Sequence, residues 1–206
     1  MDTSMRYRIR AGDHEAFAAL FDEHSGTVYR HALALLGDWS AAEDVTSLTF
    51  LHAWRARRGL TPDGGSLRPW LLGIATNLAR NERRGRRRRH DLLARLRAEP
   101  PLGHLDDVTE PAADREQVEA VARALATLGH HDREVVALYV WAELDYAEIA
   151  QALAVPIGTV KSRLWRGRRN LERALRTGAG LTDRQRVAAN DAARPATPRA
   201  GETGDG

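Results

Sequence analysis

The stretch that decides the fold is residues 145–176, DYAEIAQALAVPIGTVKSRLWRGRRNLERALR. It predicts a short helix, a tight turn and a second, strongly basic helix. Asp145 is expected to cap the first helix in a capping box with Glu148. Pro156 is expected to end that helix, because the residue before a proline avoids the α region, and Gly158 and Thr159 would open the second. This is the shape of a helix-turn-helix that reads DNA in the major groove.

The second helix of this motif has two distinct faces. Apolar or small residues recur every three or four positions and predict its buried side, namely Val160, Leu164, Gly167, Leu171 and Leu175. The residues that project elsewhere are candidate DNA contacts, namely Lys161, Ser162, Trp165, Arg166 and Arg169. A basic helix that is merely solvated would also place arginines outside, but such a face would not favour an exposed Trp165.

Length and composition limit the fold class. A chain of 206 residues makes one domain or two small ones. Hydrophobic residues are 43% of the chain and aromatic residues only 6%, which favours helical domains over β-sandwiches. The absence of cysteine excludes disulfides, thiolate catalysis and cysteine-bound zinc. Because no apolar run approaches the length of a membrane span and the first residues lack a signal-peptide core, we expect a cytoplasmic protein without membrane insertion.

The basic charge is concentrated rather than spread. The formal net charge is only +3, but the pI is about 9.8. Six of the seven residues 83–89 are arginine, and the basic helix after Pro156 carries a second cluster. Two basic bodies separated by an acidic segment over residues 106–119 indicate two contacts with a polyanion. The run 83–89 itself is open to two interpretations, a phosphate-neutralising surface or a fraying polybasic tail.

The pattern along the chain predicts an all-α protein with two small helical domains joined by a flexible linker. We expect a helix over residues 13–36 and a second one that follows Ser40 or Trp39, with Ala41, Ala42, Glu43 and Asp44 as an acidic first turn, and runs on through Trp54. A third is expected from Trp70 to about Arg89, after a Gly- and Pro-rich loop over residues 59–69. The domains are predicted at 1–90 and 115–177, with the linker at 91–114. A further helical pattern covers residues 115–125, and the tail 178–206 has the composition of a disordered segment.

The helix that starts at Trp70 is also two-faced. Its apolar positions predict a core-facing side, namely Trp70, Leu71, Ile74, Ala75 and Leu78. Its other side carries amides and arginines at helical spacing, namely Asn77, Arg80, Asn81 and Arg84. Solvated helix residues would give the same pattern, so the spacing alone leaves a functional and a structural interpretation open for the two asparagines.

Two segments together carry a family resemblance. Residues 42–54, AEDVTSLTFLHAW, followed by residues 70–81, WLLGIATNLARN, resemble the second conserved region of bacterial sigma factors. Residues 148–163 resemble their fourth region. With only a short linker between these regions, the chain resembles a group-four, extracytoplasmic-function sigma factor over roughly residues 13–176. The ordered pair of motifs is far more specific than the helix-turn-helix alone.

The resemblance implies two DNA-binding surfaces. The −35 promoter element would be read by the second helix of the helix-turn-helix, with bases or their backbones met by Lys161, Ser162, Trp165 and Arg166, and with phosphates held by Thr159 and Arg163. Arg169 belongs to the same surface. The opened strand of the −10 element would meet the Trp70 helix through Asn77, Arg80, Asn81 and Arg84, while the loop 59–69 would form a pocket wall for a flipped base.

The resemblance also implies protein partners. Asp44, Thr46 and Ser47 would face a coiled coil of the largest subunit of core RNA polymerase, whose flap is a further contact, and an anti-sigma factor is common in the family. Ser47 and Leu48 depart from the usual Gln and Glu of that contact. Ala154 stands where the helix-turn-helix usually has Gly, and Gly129 stands where Pro is common, which predicts slightly altered turns.

Two other classes of function, a DNA-binding regulator and an enzyme, fit the sequence less well than a sigma factor does. A two-domain DNA-binding regulator would need a ligand or phosphoacceptor domain at its N-terminus, and no parallel-sheet pattern with a buried Asp is present. An enzyme is disfavoured because the sequence contains neither a His-Glu-x-x-His spacing nor a P-loop. His130 and His131 favour a helix start over a metal site, because adjacent helical side chains diverge. We therefore expect no catalytic residues, metal or cofactor.

Overall fold

A computed structural model describes residues 3–61, 64–96 and 124–176. All regular structure in these ranges is helical, which confirms the all-α prediction. The helices are α1 (Thr3–Ala11), α2 (His14–Leu36), α3 (Trp39–Ala56), a 3₁₀ turn (Arg57–Gly59), α4 (Arg68–Leu96), α5 (His130–Val140), α6 (Tyr146–Leu153) and α7 (Ile157–Arg176). None of the described helices combines the length and apolar character that a membrane span requires.

The N-terminal domain is built on mutual packing of α2, α3 and α4. The side chain of Asp13 caps α2 by accepting a hydrogen bond from the backbone N–H of Ala16. Gly37 ends α2 in the left-handed conformation, at a φ of 65°, and its N–H returns to the carbonyl of Leu33. Leu20, Leu71 and Leu72 are fully buried between the three helices. The helix predicted over residues 13–36 is thereby confirmed.

The start of α3 differs from the prediction. The cap is Asp38, whose carboxylate accepts a hydrogen bond from the N–H of Ala41 at 2.8 Å, rather than Trp39 or Ser40. Because the helix starts at Trp39, Glu43 and Asp44 fall in its second turn, and its first turn holds no acid. The expectation of an acidic first turn is wrong. The sequence pattern missed a capping aspartate that lies immediately after the Gly37 break.

Helix α4 is longer than predicted. It runs to Leu96 instead of ending near Arg89, because residues 90–96 contain neither glycine nor proline. The arginine run 83–89 therefore lies inside a helix, and the fraying-tail interpretation fails. Arg86 donates to Asp38 at 2.9 Å and to Glu82 at 2.9 Å, which ties the run to the start of α3. The rest of the linker, most of the helix predicted over 115–125 and the tail 178–206 lie outside the described residues.

The C-terminal domain is the predicted helix-turn-helix preceded by α5. The capping box is present: Asp145 accepts from the N–H of Glu148 at 2.8 Å, and Glu148 accepts from that of Asp145 at 3.0 Å. Ala154 ends α6 in the left-handed conformation, at a φ of 52°. The altered turn expected at this position is therefore an alanine in a backbone conformation that favours glycine. Helix α7 starts at Ile157.

The two domains pack against each other, which the sequence did not predict. Helix α4 contacts α6, and α2 contacts α5. At Gly73 the approach is so close that a Cβ atom would lie 2.6 Å from the carbonyl oxygen of Ala152. Arg133 of α5 donates to the carbonyl of Leu35 at 3.3 Å. A glycine in the middle of α4 thus permits α6 to lie directly on that helix.

An ion pair lies within this domain contact. The guanidinium of Arg80 on α4 donates two hydrogen bonds of 2.7 Å to the two carboxylate oxygens of Glu134 on α5. The Glu134 side chain is only 1% exposed. Burial raises the pKa of this carboxyl, but the hydrogen bonds and charge of Arg80 outweigh that effect and bring the pKa below its ordinary value. Glu134 is therefore ionised and depends on Arg80 for its charge partner.

A buried histidine lies between α2 and α4. The Nε2 of His31 is 2.8 Å from the hydroxyl of Thr76, which itself donates to the carbonyl of Leu72 at 2.7 Å. Nε2 must then carry the proton and donate, which leaves Nδ1 as a bare acceptor that meets no hydrogen-bond partner among the described residues. Burial lowers the pKa of His31 to about 4, so the ring is neutral near pH 7.

The neutral state of His31 makes stability depend on pH. The unfolded chain takes up a proton near pH 6.5, whereas the folded chain takes it up only near pH 4. Stability is complete above pH 6.5 and falls as the pH drops from 6.5 to 4, by about 3 kcal/mol for this group. Urea unfolding over this range should show that loss. A His31→Gln variant keeps a donor for Thr76, and its stability should fall less over the same range. An equal fall in both proteins would contradict the assignment.

Candidate nucleic-acid interface

Helix α7 presents the surface predicted to contact the −35 element. Val160, Leu164 and Gly167 are buried, as their spacing predicted, and the side chain of Leu175 lies outside the described set. Lys161, Ser162, Trp165 and Arg169 are exposed. Trp165 is 61% exposed, and the guanidinium of Arg169 lies 5.2 Å from its ring centre. An aromatic ring of this size on an open basic helix is suited to contact with a ligand rather than to core packing.

Arg166 is held by a carboxylate that the sequence did not single out. Its Nη2 and Nε donate to the two oxygens of Asp132 at 3.1 and 3.4 Å. The hydrogen bond and the charge of Asp132 raise the pKa of Arg166. The side chain remains about half exposed, so the pair directs the guanidinium along the edge of α7 that faces α5. Arg166 can reach a DNA base only from this restricted set of positions.

Two further predicted contacts lie at the flank of α7. Arg163 and Thr159 are half-buried, nearer the core-facing stripe than Ser162. The hydroxyl of Ser162 donates its proton to the carbonyl of Thr159 at 3.0 Å, so toward a ligand this oxygen can act only as an acceptor. This arrangement places Arg163 and Thr159 at the side of the helix, where a DNA backbone would pass if Ser162 faced the groove.

Helix α4 brings its predicted polar residues onto one face. Asn77 and Asn81 are exposed one turn apart, and each amide oxygen accepts from the arginine three residues later, at 3.1 Å from Arg80 and 2.6 Å from Arg84. The asparagines therefore hold arginine side chains in position as well as exposing amides. Of this group, Arg80 is engaged by the C-terminal domain through Glu134.

A helix that the sequence pattern missed anchors the loop between α3 and α4. Arg6 of α1 is only 4% exposed and donates to four backbone carbonyls, those of Thr61, Gly64, Gly65 and Ser66, at 2.6–3.1 Å. Burial lowers the pKa of Arg6. A Cβ at Gly64 would lie 2.6 Å from its Nη1. The loop is thus shaped by one guanidinium, which a search for apolar periodicity could not detect.

The predicted polymerase-docking residues lie on α3 beside an apolar patch. Asp44 and Ser47 are exposed, whereas the hydroxyl of Thr46 is used within the helix, where it donates to the carbonyl of Ala42 at 2.7 Å. Leu48 and Leu51 follow Asp44 at helical spacing, and each is 42% exposed. Exposed leucines next to an exposed acid make a mixed surface suited to protein contact. The sequence showed Leu48 as a departure from a pattern, and the structure shows it as part of this patch.

In the described ranges, no three side chains of the types that bind metals (His, Cys, Asp or Glu) lie close enough together to hold a metal ion. His130 and His131 open α5, as predicted, but their rings do not diverge as expected: the ring centres lie 3.8 Å apart. Their neighbours are the arginines of α4 and the ion-paired Glu134, so this is a basic site.

Comparison with known proteins agrees with the geometry. Residues 20–89 match the sigma-70 region 2 family profile, and residues 118–171 match the sigma-70 region 4 profile. The chain is 36% identical, over 146 residues, to the ECF RNA polymerase sigma factor SigL of Mycobacterium tuberculosis, covering 71% of this chain and 81% of SigL. The chain belongs to the extracytoplasmic-function sigma factors.

Solved structures share the fold of this sigma factor. CnrH, solved in complex with the cytosolic domain of CnrY, aligns with a TM-score of 0.66 and 24% identity, covering 85% of this chain and 97% of CnrH. The sigma factor RpoE of Bartonella quintana, solved with the anti-sigma factor NepR, aligns with a TM-score of 0.61 and 22% identity, covering 78% and 96% of the two chains. At these identities the likeness concerns the fold alone.

The role of Arg6 can be tested on the sigma factor itself. Replacing Arg6 with Met keeps the aliphatic packing but leaves four carbonyls without their donor, so we expect a loss of about 2–4 kcal/mol in unfolding free energy. The matched control is Arg10→Met, since Arg10 makes one hydrogen bond to the same loop, to Leu60 at 3.2 Å. Urea unfolding measures stability, and amide exchange over residues 64–67 measures loop order. Equal effects of the two substitutions would refute the assigned role.

Proposed function

We propose that this sigma factor binds core RNA polymerase, recognises the −35 and −10 promoter elements and promotes DNA opening. The observation that carries the proposal is the pair of basic helical faces, on α7 and on α4, in one chain and in family order. Each face matches the chemistry of its target: α7 can enter the major groove of duplex DNA, and the α4 face can follow the phosphates of a single strand. Such work takes place on the chromosome, in the cytoplasm.

The −35 assignment rests on exposure and direction. Ser162, Trp165, Arg166 and Lys161 are the proposed contacts with bases or their edges, and Arg169 continues the basic surface. Arg163 and Thr159, at the flank of α7, are the proposed phosphate contacts. The pair with Asp132 restricts the guanidinium of Arg166, so less rotational freedom is lost when it meets a guanine.

The −10 assignment places Asn77, Arg80, Asn81 and Arg84 along the opened strand. The loop fixed by Arg6 is the proposed wall of a pocket for a flipped base. Its four hydrogen bonds to one buried side chain supply the rigidity that base selection requires.

Simultaneous contact with both elements requires the packed domains to separate. The elements lie about 25 base pairs apart, which is roughly 85 Å of duplex. Helices in contact have axes about 8–10 Å apart, so α4 and α7, which both contact α6, approach within roughly 20 Å of each other. Separation releases Arg80 from Glu134, and a DNA phosphate can then replace the carboxylate as its partner.

The proposed polymerase contact is the α3 surface of Asp44, Thr46 and Ser47, extended by the leucines beside it. These residues would face the coiled coil of the largest subunit, while the C-terminal domain reaches the flap. An anti-sigma factor is the expected regulator, and the relative from Bartonella was solved with such a partner. Either partner, the polymerase or an anti-sigma factor, could bury exposed apolar side chains such as Leu48 and Leu51 in its interface.

Reconstitution with core polymerase tests the proposal. The purified chain should bind core RNA polymerase, bind promoter DNA weakly and without sequence preference by itself, and become specific only in the holoenzyme. Permanganate reactivity of unpaired thymines should report opening, and Asn77→Ala or Asn81→Ala should reduce opening more than closed-complex binding. Tight, sequence-specific duplex binding by the free chain, with no affinity for polymerase, would favour a helix-turn-helix regulator instead.

Substitutions of Arg163 and Arg166 on α7 should weaken DNA binding in different ways. Arg166→Ala should weaken binding at particular −35 base pairs, by about 1–3 kcal/mol each, because a bidentate base contact is lost. Arg163→Ala should weaken binding evenly across sequences and reduce the salt dependence by about one unit, as loss of a phosphate contact does. Holoenzyme binding to every single-base −35 variant at two salt concentrations separates the two patterns. An even loss with Arg166→Ala would remove its base-reading role.

A further inference from the structure

A cleft of about 320 Å³ lies between the two domains, where α4 faces the start of α5. The N-terminal domain supplies Asn77, Arg80, Arg83, Arg84 and Arg87, and the C-terminal domain supplies His130 and His131. The cleft therefore exists in this form only while the domains are packed. Its volume is at the lower end of the range of about 300–1,000 Å³ found for small-molecule sites.

The charges around the cleft are not balanced. Four arginines line it, and the carboxylate that meets them is Glu134, whose two oxygens are already taken by Arg80. Arg84 donates to the neutral amide of Asn81. Within the described ranges no carboxylate lies within hydrogen-bonding distance of Arg83 or Arg87. Among the described residues, Arg83 and Arg87 therefore have no carboxylate of their own, and the only acid that acts on Arg83 is Glu134, which is already paired with Arg80.

Burial, followed by neighbouring positive charges, lowers the pKa values of several basic groups in and beside the cleft. Burial and then the charge of Arg87 lower the pKa of Arg83. Burial, His131 and the two arginines lower the pKa of His130. Arg133, just behind the cleft, also has a lowered pKa, from burial and then from Arg83 and Arg87. The charge of Glu134 opposes this effect at all three groups, and a bound anion would oppose it further.

We infer that this cleft binds a small phosphate-rich anion, of the size and charge of pyrophosphate, and that the bound anion holds the two domains together. Guanidinium forks and imidazoles are the side chains that best match phosphate oxygens. The first turn of α5, which carries both histidines, has no side-chain cap on its backbone N–H groups. Its dipole adds to the attraction for an anion held between the domains.

Geometry favours a free polyphosphate over a DNA backbone as the occupant. A promoter strand along α4 requires the domains to separate, and separation removes His130 and His131 from the site. A free anion, by contrast, can contact α4 and α5 at once. Its chemical class is a di- or triphosphate group, either alone or carried by a nucleotide. Bound there, it would compete with the −10 strand and favour the packed form. This regulatory consequence rests on the proposed function, but the binding itself does not.

Titration calorimetry of the full chain with inorganic pyrophosphate is the direct test. We expect one site, with affinity reduced about tenfold or more in the Arg83→Gln/Arg87→Gln double variant. The matched control is Arg88→Gln/Arg89→Gln, which removes the same charge from the same helix outside the cleft. Circular dichroism confirms that each variant is folded. Equal losses in both double variants would mean general charge attraction and would overturn the inference.

The histidines separate an interdomain site from a site on α4 alone. The His130→Asn/His131→Asn variant should also lose affinity for pyrophosphate, although it leaves every arginine of α4 unchanged. Unchanged affinity in this variant would show that α4 binds phosphate by itself, as a strand-binding surface does. That result would overturn the inference while leaving the proposed function intact.

Gly73 provides a test that touches no residue of the cleft. Gly73→Ala forces a Cβ against the carbonyl of Ala152, so it should separate the domains and weaken pyrophosphate binding. The matched control is Gly85→Ala on the same helix, where a Cβ meets nothing within 4 Å. Energy transfer between dyes at Asp22→Cys and Ala147→Cys follows the separation and is possible because the chain has no cysteine.

In the Gly73→Ala variant, whose domains are expected to separate, energy transfer should rise towards the value of the unsubstituted protein when pyrophosphate is added, and it should not rise when both histidines are also replaced. Unchanged transfer at saturating pyrophosphate would overturn the claim that the anion holds the domains together. Failure of the chain to bind core polymerase would instead refute the proposed function, and it would not alter these binding results.

Discussion

In the described part of the chain, the packing of the two domains is centred on the ion pair between Arg80 and Glu134. A carboxylate that is almost fully buried must have a partner, and its partner comes from the other domain. Removing either side chain leaves an uncompensated charge inside the contact, which is more costly than the loss of a surface pair. The same guanidinium belongs to the face assigned to the −10 strand. Domain packing and the proposed strand binding therefore both use the side chain of Arg80.

The contact between the domains around this ion pair is made by a small number of specific groups. Gly73 permits an approach between the backbones of α4 and α6 that any larger residue would forbid. Arg133 adds a single hydrogen bond to the end of α2. His31 lies beneath the pair, where the charge of Glu134 partly opposes the effect of burial on its pKa. Few groups carry the packing, so a small change in any one of them can alter the relation between the domains.

Local sequence signals predicted most of the helices and much of the candidate site. The capping box of Asp145 and Glu148, the buried stripe of α7 and the exposure of Trp165 follow from residue types at fixed spacing, and the structure agrees with each. The face of Asn77 and Asn81 is also present as its spacing predicted. Such features depend on neighbours within one or two helical turns, which is the information that a single sequence carries most directly.

The features missed from sequence depend on contacts between distant residues. Arg6 and the loop it anchors are separated by 55–60 positions, and Arg80 and Glu134 by 54. Neither contact leaves a periodic pattern in the sequence. A charged residue in a helix gives the same sequence pattern whether its side chain meets solvent or a distant carbonyl or carboxylate. The prediction of the α3 cap failed for a different reason. Asp38, Trp39 and Ser40 are adjacent residues, and a sequence pattern locates the first residue of a helix only approximately.

The packed arrangement has a consequence for dosage in the cell. If promoter-bound polymerase accepts only the separated form, then the apparent affinity of the sigma factor equals its intrinsic affinity multiplied by the separated fraction. Each stabilisation of the packed form by about 1.4 kcal/mol raises tenfold the concentration needed for the same occupancy. Breaking a buried ion pair by removing one partner costs about 3–5 kcal/mol, which is enough to change this balance. On that model, the number of molecules required to switch on a promoter is adjustable at Glu134, which lies on neither of the two helix faces proposed to bind DNA but holds an arginine of one of them.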